Sequence, residues 1–239
     1  MVAPARQALY SSPMFTGIIR HRGRIIKSYG SDTEHHLTIE TSLAKDLTEG
    51  DSIAVNGACL TILKQSSEAF DIRLMAESIA RTNLAKLSLN DHVNLELPLA
   101  AGDTLDGHFV TGHVDGVATI SDITPAGHDL IFTLQPPNDL MRYFVPKGTV
   151  ALAGISLTVV SVNQITEPTG GRPRQRSKVN SQMYEPTGSF TVSVMPYTLE
   201  HTTLGNAQPG DTLNIEADML AKHAINATER YLANQPQQT

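Results

Sequence analysis

The chain has 239 residues, which is enough for two domains of about 100 residues each. Its net charge of −6 disfavours a nucleic-acid partner, which usually needs a basic face. A single cysteine excludes an internal disulfide framework and is typical of a reducing compartment, so we expect a cytoplasmic protein. No apolar run approaches the roughly 20 residues that cross a membrane, and we expect no membrane partner.

The first segment, residues 1–13, differs in composition from the rest of the chain, since it contains one arginine and no acidic residue. A transit peptide would carry several arginines, so we expect a disordered extension instead. The folded part is expected to begin at Met14.

Short segments that alternate polar with apolar residues dominate the rest, and this pattern predicts strands with one buried face. The segments are 36–40, 70–74, 92–97, 130–134, 189–194 and 211–216. Strands at this spacing, separated by turn signals such as Gly50-Asp51, predict barrels or sandwiches. A closed barrel also leaves no edge strand open to aggregation.

Helices are few in this prediction. The stretches 42–47 and 137–143 occupy equivalent places in the two halves, and 82–84 and 202–204 predict a single turn each. An amphipathic helix is predicted over 218–234, because apolar residues there recur at helical spacing.

Three sequence blocks occur twice in the same order. Phe15-Thr16-Gly17 is echoed at 110–112, and the run 56–61 is echoed at 153–158. The third block, 81–84 with 90–96, is echoed by 201–204 with 210–216. A repeat this long exceeds the roughly 20–50 residues of a solenoid unit and indicates a duplicated domain. A protein with two copies of one pocket can hold two copies of one ligand.

The second copy is longer because of an insertion at about 165–189, which contains a cluster of arginine and lysine residues. It has too few apolar residues to bury, so we expect a mobile surface loop. The basic cluster is interpreted as solvated in preference to an anion or partner site.

At these motifs the chain resembles the riboflavin synthase family, from Met14 to about Leu232. The motifs are Met-Phe-Thr-Gly-Ile-Ile at 14–19, Asn-Gly-Ala-Cys-Leu-Thr at 56–61, Gly-His-Phe-Val-Thr-Gly-His-Val at 107–114, Gly-Ile-Ser-Leu-Thr at 154–158 and Thr-Thr-Leu-Gly at 202–205. The resemblance implies an all-β fold of two homologous six-stranded Greek-key barrels in tandem plus a C-terminal α-helix, assembled as a homotrimer. The implied domains are an N-terminal lumazine-binding barrel at 14–104, a C-terminal one at 105–217, and a trimerisation helix and tail at 218–239.

The resemblance also implies a reaction, the dismutation of two 6,7-dimethyl-8-ribityllumazine molecules without cofactor or metal. A four-carbon unit moves from one molecule to the other, giving riboflavin and 5-amino-6-ribitylamino-pyrimidinedione. The alternative is a non-catalytic lumazine- or flavin-binding protein of the same fold, which the polar pocket residues retained in both copies disfavour. The FAD domain of an oxidoreductase is also disfavoured, because the sequence contains no nucleotide-binding βαβ half after the second copy.

Comparing the two copies separates shared binding architecture from chemical asymmetry. The positions that match are Gly17/Gly112, Thr61/Thr158 and Met75/Met195. The positions that differ are Ile18/His113, Cys59/Ser156, Asn56/Ala153 and Glu77/Tyr197. Since donor and acceptor do different jobs, we expect the chemistry to lie at the second set.

Five residues are catalytic candidates, namely His113, Cys59, Ser52, Ser156 and Asp218. His113 could move a proton near neutral pH, the alternative being a histidine that satisfies a strand end. Cys59 and Ser156 are interpreted as pocket-lining, and a covalent role for a Cys59 thiolate is less favoured. Ser52 is a site residue or a turn serine. Asp218 caps the last helix, serves the catalytic cluster, or does both.

The His-x4-His spacing of His108 and His113 does not predict a metal site. No third ligand of fitting spacing is near, and alternation along a strand would point the two side chains to opposite faces.

The residues expected to contact substrate come from both copies. In the first copy they are Gly17, Ile18, Ile19, Cys59, Leu60, Thr61, Leu74, Met75, Glu77 and Ser78. In the second they are Gly112, His113, Val114, Lys147, Ser156, Leu157, Thr158, Val194, Met195, Pro196, Tyr197 and Thr198. An exposed strand-end glutamate and a solvated lysine are the alternatives at Glu77 and Lys147. Ala153 and Tyr197 depart from the family pattern, since some members carry acidic residues there.

Overall fold

The structure is a computed structural model that describes residues 13–163, 178–179, 182–183 and 188–234. The expected extension at 1–13, apart from its last residue, and most of the expected insertion at 165–189 lie outside the described residues. So does the end of the expected C-terminal tail, residues 235–239.

The first copy folds into a closed antiparallel barrel. Its strands are β1 (His21–Gly30), β2 (Glu34–Glu40), β3 (Ser52–Val55), β4 (Ala58–Gln65), β5 (Ala69–Met75) and β6 (His92–Glu96). They follow the order β1-β2-β5-β4-β3-β6, and β6 pairs back onto β1. Along β5 the side chains of Phe70, Ile72 and Leu74 are buried and those between them are more exposed, which is the alternation that the sequence predicts.

The second copy repeats this barrel with the same cyclic strand order, β10-β13-β8-β7-β14-β9. Its strands are β7 (Gly116–Ala126), β8 (Asp129–Gln135), β9 (Thr149–Leu152), β10 (Ile155–Asn163), β13 (Ser189–Val194) and β14 (Thr212–Ala217). Two short strands between β10 and β13, β11 (Lys178–Val179) and β12 (Gln182–Met183), pair with each other. The predicted fold of two six-stranded barrels is thereby confirmed.

Helices connect the strands and end the fold. The short helical stretches predicted from the sequence are confirmed as 3-10 helices at Ala44–Asp46, Leu84–Lys86, Asn138–Tyr143 and Thr203–Asn206. Two short helices were not predicted, α1 (Ala76–Arg81) and α2 (Pro196–His201), because six residues with no buried side chain leave no apolar period. The predicted C-terminal helix is α3 (Met219–Ala233). No helix among the described residues is long and apolar enough to span a membrane.

Each barrel encloses its own apolar core, and the two barrels meet through a few specific contacts. A small buried cluster of Phe15, Ala54, Val110 and Ala151 lies between the two cores.

A polar contact at the junction is repeated on both sides. The side chain of Asn94 accepts the Thr203 N–H at 2.9 Å and donates to the Ala153 carbonyl at 3.0 Å. Asn214, its counterpart in the second copy, makes the same two kinds of bond to the first copy at 2.8 and 2.9 Å. The barrels are therefore related by an approximate two-fold arrangement.

Candidate active site

The segment that precedes each barrel crosses over to contact the barrel of the other copy, and we call this the exchange of segments. Phe15, at the start of the first copy, pairs with Val110, at the start of the second, through backbone hydrogen bonds of 2.7 and 3.1 Å. Just beyond this pair, the Gly17 carbonyl accepts the Ser156 N–H of the second barrel at 2.8 Å. The Gly112 carbonyl accepts the Cys59 N–H of the first barrel at 2.9 Å. Each segment therefore lies against the barrel of the other copy.

The glycines in these segments are required by the close approach. A Cβ on Gly17 would lie 2.7 Å from the Ser156 Cβ, and a Cβ on Gly112 would lie 2.5 Å from the Cys59 Cβ. Both glycines also have φ +76°, which side chains rarely adopt. The match between Gly17 and Gly112 thus reflects two equivalent segment-to-barrel contacts.

A buried glutamate holds each segment. Glu96 accepts hydrogen bonds from the Thr16 N–H and hydroxyl, both at 2.7 Å, and from the Gly17 N–H at 3.0 Å. Glu216 accepts the same three bonds from Thr111 and Gly112, at 2.8, 2.7 and 3.0 Å.

Burial raises the pKa of both carboxyls, although the hydrogen bonds to Thr16 and Thr111 act in the opposite direction. Neither glutamate was predicted from the sequence as a site residue. The internal repeat could have identified them, because Glu96 and Glu216 occupy the same position at the end of the third repeated block.

We define the first pocket as the surface of the first barrel beside Gly112, His113 and Val114. Ser52 pairs with Thr61 across β3 and β4, and Cys59 lies on the same face of β4 as Thr61. Burial raises the pKa of the Cys59 thiol, and the nearby Ser52 hydroxyl, which lowers it, only partly offsets this. The thiol is therefore held neutral, which disfavours attack by a thiolate.

Two predicted contacts extend the first pocket from β5 into α1. Met75 is 56% exposed at the end of β5, so its thioether offers apolar surface to a ring. Glu77 lies in the first turn of α1, not at a strand end, and accepts a hydrogen bond from Arg81 at 2.9 Å. Ser78 is the next residue in the same turn.

We define the second pocket as the surface of the second barrel beside Gly17, Ile18 and Ile19. Ser156 lies there, and its hydroxyl is 2.7 Å from Nδ1 of His108. Burial lowers the pKa of His108, and the negative charge of Asp218 acts against this. His108 is 8% exposed and is therefore a neutral histidine bonded to a hydroxyl. The sequence assigns His108 no role, since its spacing from His113 does not predict a metal site.

Asp218 joins the second pocket to the C-terminal helix. One of its carboxylate oxygens accepts the Leu220 N–H at 2.7 Å and caps α3, and the other accepts the Thr149 hydroxyl. Thr149 occupies the place in β9 that Ser52 occupies in β3. Lys147, two residues earlier, has an exposed side chain and a left-handed backbone with φ 68°.

Some predicted contact residues turn away from the pockets. The side chains of Leu60 and Leu74 belong to the first core, and those of Leu157 and Val194 belong to the second. These four can contact a ligand only through their backbone. In contrast, Thr158, Met195, Pro196 and Tyr197 are exposed, and Tyr197 stacks on His201 with ring centroids 4.0 Å apart.

The catalytic candidates divide between the pockets. His113, Cys59 and Ser52 belong to the first, whereas Ser156 and Asp218 belong to the second. The segment with His108 and His113 is not a strand, so strand alternation was the wrong reason to separate these side chains. His108 is buried against Ser156 and His113 is exposed. Across the described ranges, no three His, Cys, Asp or Glu side chains are grouped so that they could hold a metal ion.

Known proteins match this chain along most of its length. The family model described as lumazine binding domain matches twice, at residues 16–98 and 111–218. The riboflavin synthase of Actinobacillus pleuropneumoniae is 36% identical over 224 residues, covering 93% of this chain and 92% of the relative. The riboflavin synthase of Bacillus subtilis is 34% identical over 227 residues and covers 95% of both chains.

Solved structures show the same fold at lower sequence identity. LumP complexed with 6,7-dimethyl-8-(1'-D-ribityl) lumazine matches with a TM-score of 0.68 and 21% identity, covering 85% of this chain and 98% of LumP. LumP complexed with riboflavin gives a TM-score of 0.69 at the same identity and coverage.

Proposed function

This chain belongs to the riboflavin synthase family of enzymes, and we propose that it dismutates two molecules of 6,7-dimethyl-8-ribityllumazine. A four-carbon unit passes from one molecule to the other, and the products are riboflavin and 5-amino-6-ribitylamino-pyrimidinedione. The observation that carries the proposal is the presence of two pockets that share one construction but differ in their reactive groups. Two identical substrate molecules would bind in the same way, one in each pocket, but one would act as donor and the other as acceptor.

We assign the proton transfers to polar groups that differ between the pockets. His113, exposed in the first pocket, is proposed to move a proton to or from the substrate, whose ring carries an acidic methyl group. In the second pocket, the Ser156 oxygen would add to an electrophilic ring carbon while the neutral imidazole of His108 accepts the hydroxyl proton. The double bond at that carbon would break, and its electron pair would move to the neighbouring ring nitrogen. Ser52 and Asp218 support Cys59 and Thr149, respectively.

The remaining contacts are proposed to bind the ring and the ribityl chain. Thr61 and Thr158 present exposed hydroxyls at equivalent places, and Glu77 is available for ribityl hydroxyls. The exposed side chains of Met195 and Tyr197 offer apolar surface to a flat ring in the second pocket. Lys147 supplies a positive charge at the rim of the same barrel.

We further propose a cytoplasmic homotrimer that is joined through the C-terminal helix. In α3, Leu220, Tyr231 and Leu232 are 63 to 65% exposed, so they are available to another subunit. We propose the same domain limits as those expected from the sequence. The first barrel spans 14–104, the second spans 105–217, and the helix with its tail spans 218–239. The family resemblance further suggests that the first barrel of one subunit faces the second barrel of another.

Deleting 219–239 should shift the sedimentation profile toward monomers, and an unchanged profile would refute the role of the helix.

The reaction is tested with purified protein and the lumazine alone. We expect riboflavin to appear without added cofactor, measured by its absorbance and fluorescence, with one riboflavin formed for every two lumazines consumed. Tight lumazine binding without riboflavin formation would instead favour the non-catalytic binding protein.

A further inference from the structure

The segment that carries His113 is held at both ends, whereas the equivalent segment that carries Ile18 is not. At its start, Thr111 and Gly112 donate three hydrogen bonds to Glu216. At its end, a carboxylate oxygen of Asp115 lies 2.6 Å from the ammonium of Lys222, in α3. The same oxygen accepts the Ala217 N–H at 2.8 Å.

The ion pair is sheltered. The side chains of Lys222 and Asp115 are only 27% and 22% exposed, so solvent and salt screen their attraction less than at an open surface. In the first copy, the position equivalent to Asp115 is Arg20, which carries the opposite charge. Arg20 approaches Asp106 at 3.5 Å, with both side chains more than half exposed, and a pair of this kind contributes little.

Lys222 acts on both anchors of the His113 segment. It pairs with Asp115, and its charge also acts to lower the pKa of Glu216. Lys222 lies in the first turns of α3, where its N–H donates to the Asp218 carbonyl at 3.0 Å. The start of the C-terminal helix is thus connected to the first pocket through one side chain.

We propose that Lys222 and Asp115 are positioning residues through which the C-terminal helix fixes the His113 segment in the first pocket. This inference rests on the proposed function, because it assigns the pair to the placing of the proposed proton-transfer group. The helix would then serve turnover directly, in addition to any role in assembly.

The test compares two ion pairs of the same helix. Lys222→Met removes the charge near the segment, whereas Glu229→Gln removes a pair with Arg142, 2.9 Å long, that lies at the other end of α3. We expect Lys222→Met to lower kcat at least roughly fivefold, since small misplacements of a catalytic group are costly. KM should change little, Lys222→Arg should restore kcat, and Glu229→Gln should match the wild type. Sedimentation should show the same assembly in all variants, which separates the placing of the segment from an effect on assembly.

Hydrogen exchange gives a second measurement that does not require turnover. Amides of 111–115 should exchange faster in Lys222→Met, and those of 16–20 should not. An unchanged kcat with unchanged exchange, or equal losses in Lys222→Met and Glu229→Gln, would overturn the proposal. If the wild type forms no riboflavin, the proposed function fails, and faster exchange at 111–115 alone would still show the connection between helix and segment.

Discussion

Gly57 and Gly154 face each other across the junction of the two barrels, closely enough that neither could carry a side chain. A Cβ on Gly57 would lie 2.7 Å from the Gly154 nitrogen, and a Cβ on Gly154 would lie 2.8 Å from the Gly57 nitrogen. Both residues have φ +81°. The barrels therefore touch backbone to backbone at equivalent turns.

The first prediction separates this contact from backbone strain. Gly50 also has a left-handed backbone, with φ +92°, but a Cβ there would meet nothing within 4 Å. Gly50→Ala should cost about 1–2 kcal/mol of unfolding free energy from its backbone alone. Gly57→Ala should cost about 1–3 kcal/mol more, because the barrels must move apart. Urea denaturation measures both, and equal losses would contradict the close contact.

The second prediction concerns the residue pair in which the two exchanged segments differ. His113→Ala should lower kcat by roughly 10² to 10⁴, because a proton-transfer group is lost, while riboflavin affinity changes less than about tenfold. Ile18→Ala, at the equivalent position, removes apolar contact and should weaken binding more than it slows turnover. Titration of riboflavin fluorescence and steady-state kinetics supply the two readouts. Comparable losses of kcat and affinity in His113→Ala would give His113 a structural role instead.

The third prediction concerns stability against pH. The pKa of His108 is lowered in the folded protein, mainly by burial, so the unfolded chain binds more protons once the pH falls below about 6.5. The contribution of His108 to stability is present above this pH and is lost as the pH falls through the folded pKa. His108→Asn should therefore flatten the acid side of the stability curve.

A matched variant identifies the cause of this pH dependence. Ser156→Ala removes the hydroxyl partner and leaves His108 buried, so it should keep the acid loss while lowering stability at every pH. An acid loss that disappears in Ser156→Ala but persists in His108→Asn would assign the effect to another group.

The fourth prediction concerns the single cysteine. Because burial raises the pKa of Cys59, its thiol should react with iodoacetamide more slowly at pH 7 than free cysteine does, and the rate should keep rising above about pH 8.5. Cys59→Ser gives the background, since the chain has no other cysteine. Rapid alkylation at neutral pH would show a thiolate and reopen a covalent role.

The sequence predicts the strands because their cause is local, whereas the closure of each copy into a six-stranded barrel was an expectation from the family resemblance. Alternating segments such as 70–74 predict buried faces directly, and the repeated blocks reveal the duplication. The exchange of the segments was not predictable in this way. The residues around Gly17 and Gly112 have the same local pattern whichever barrel they contact, so only the tertiary contacts decide their place.

The structure groups the predicted site residues in a way that their order in the chain does not indicate. Ile18 and His113 align in sequence, and by chain position alone each would belong to its own barrel. The exchange instead places Gly112, the residue before His113, against Cys59. Glu96 and Glu216 have the local pattern of polar strand ends, because their burial and their bonds to distant segments leave no mark on that pattern.

The exchange of segments also sets the order in which binding ability can arise during synthesis. A nascent chain that has completed the first barrel has neither pocket, since one lacks Gly112 and the other lacks its entire barrel. Glu216, which anchors the His113 segment, lies in β14, the last of the described strands to leave the ribosome. The first barrel must therefore fold without help from a pocket ligand, and such a ligand can stabilise the chain only after β14 has been made.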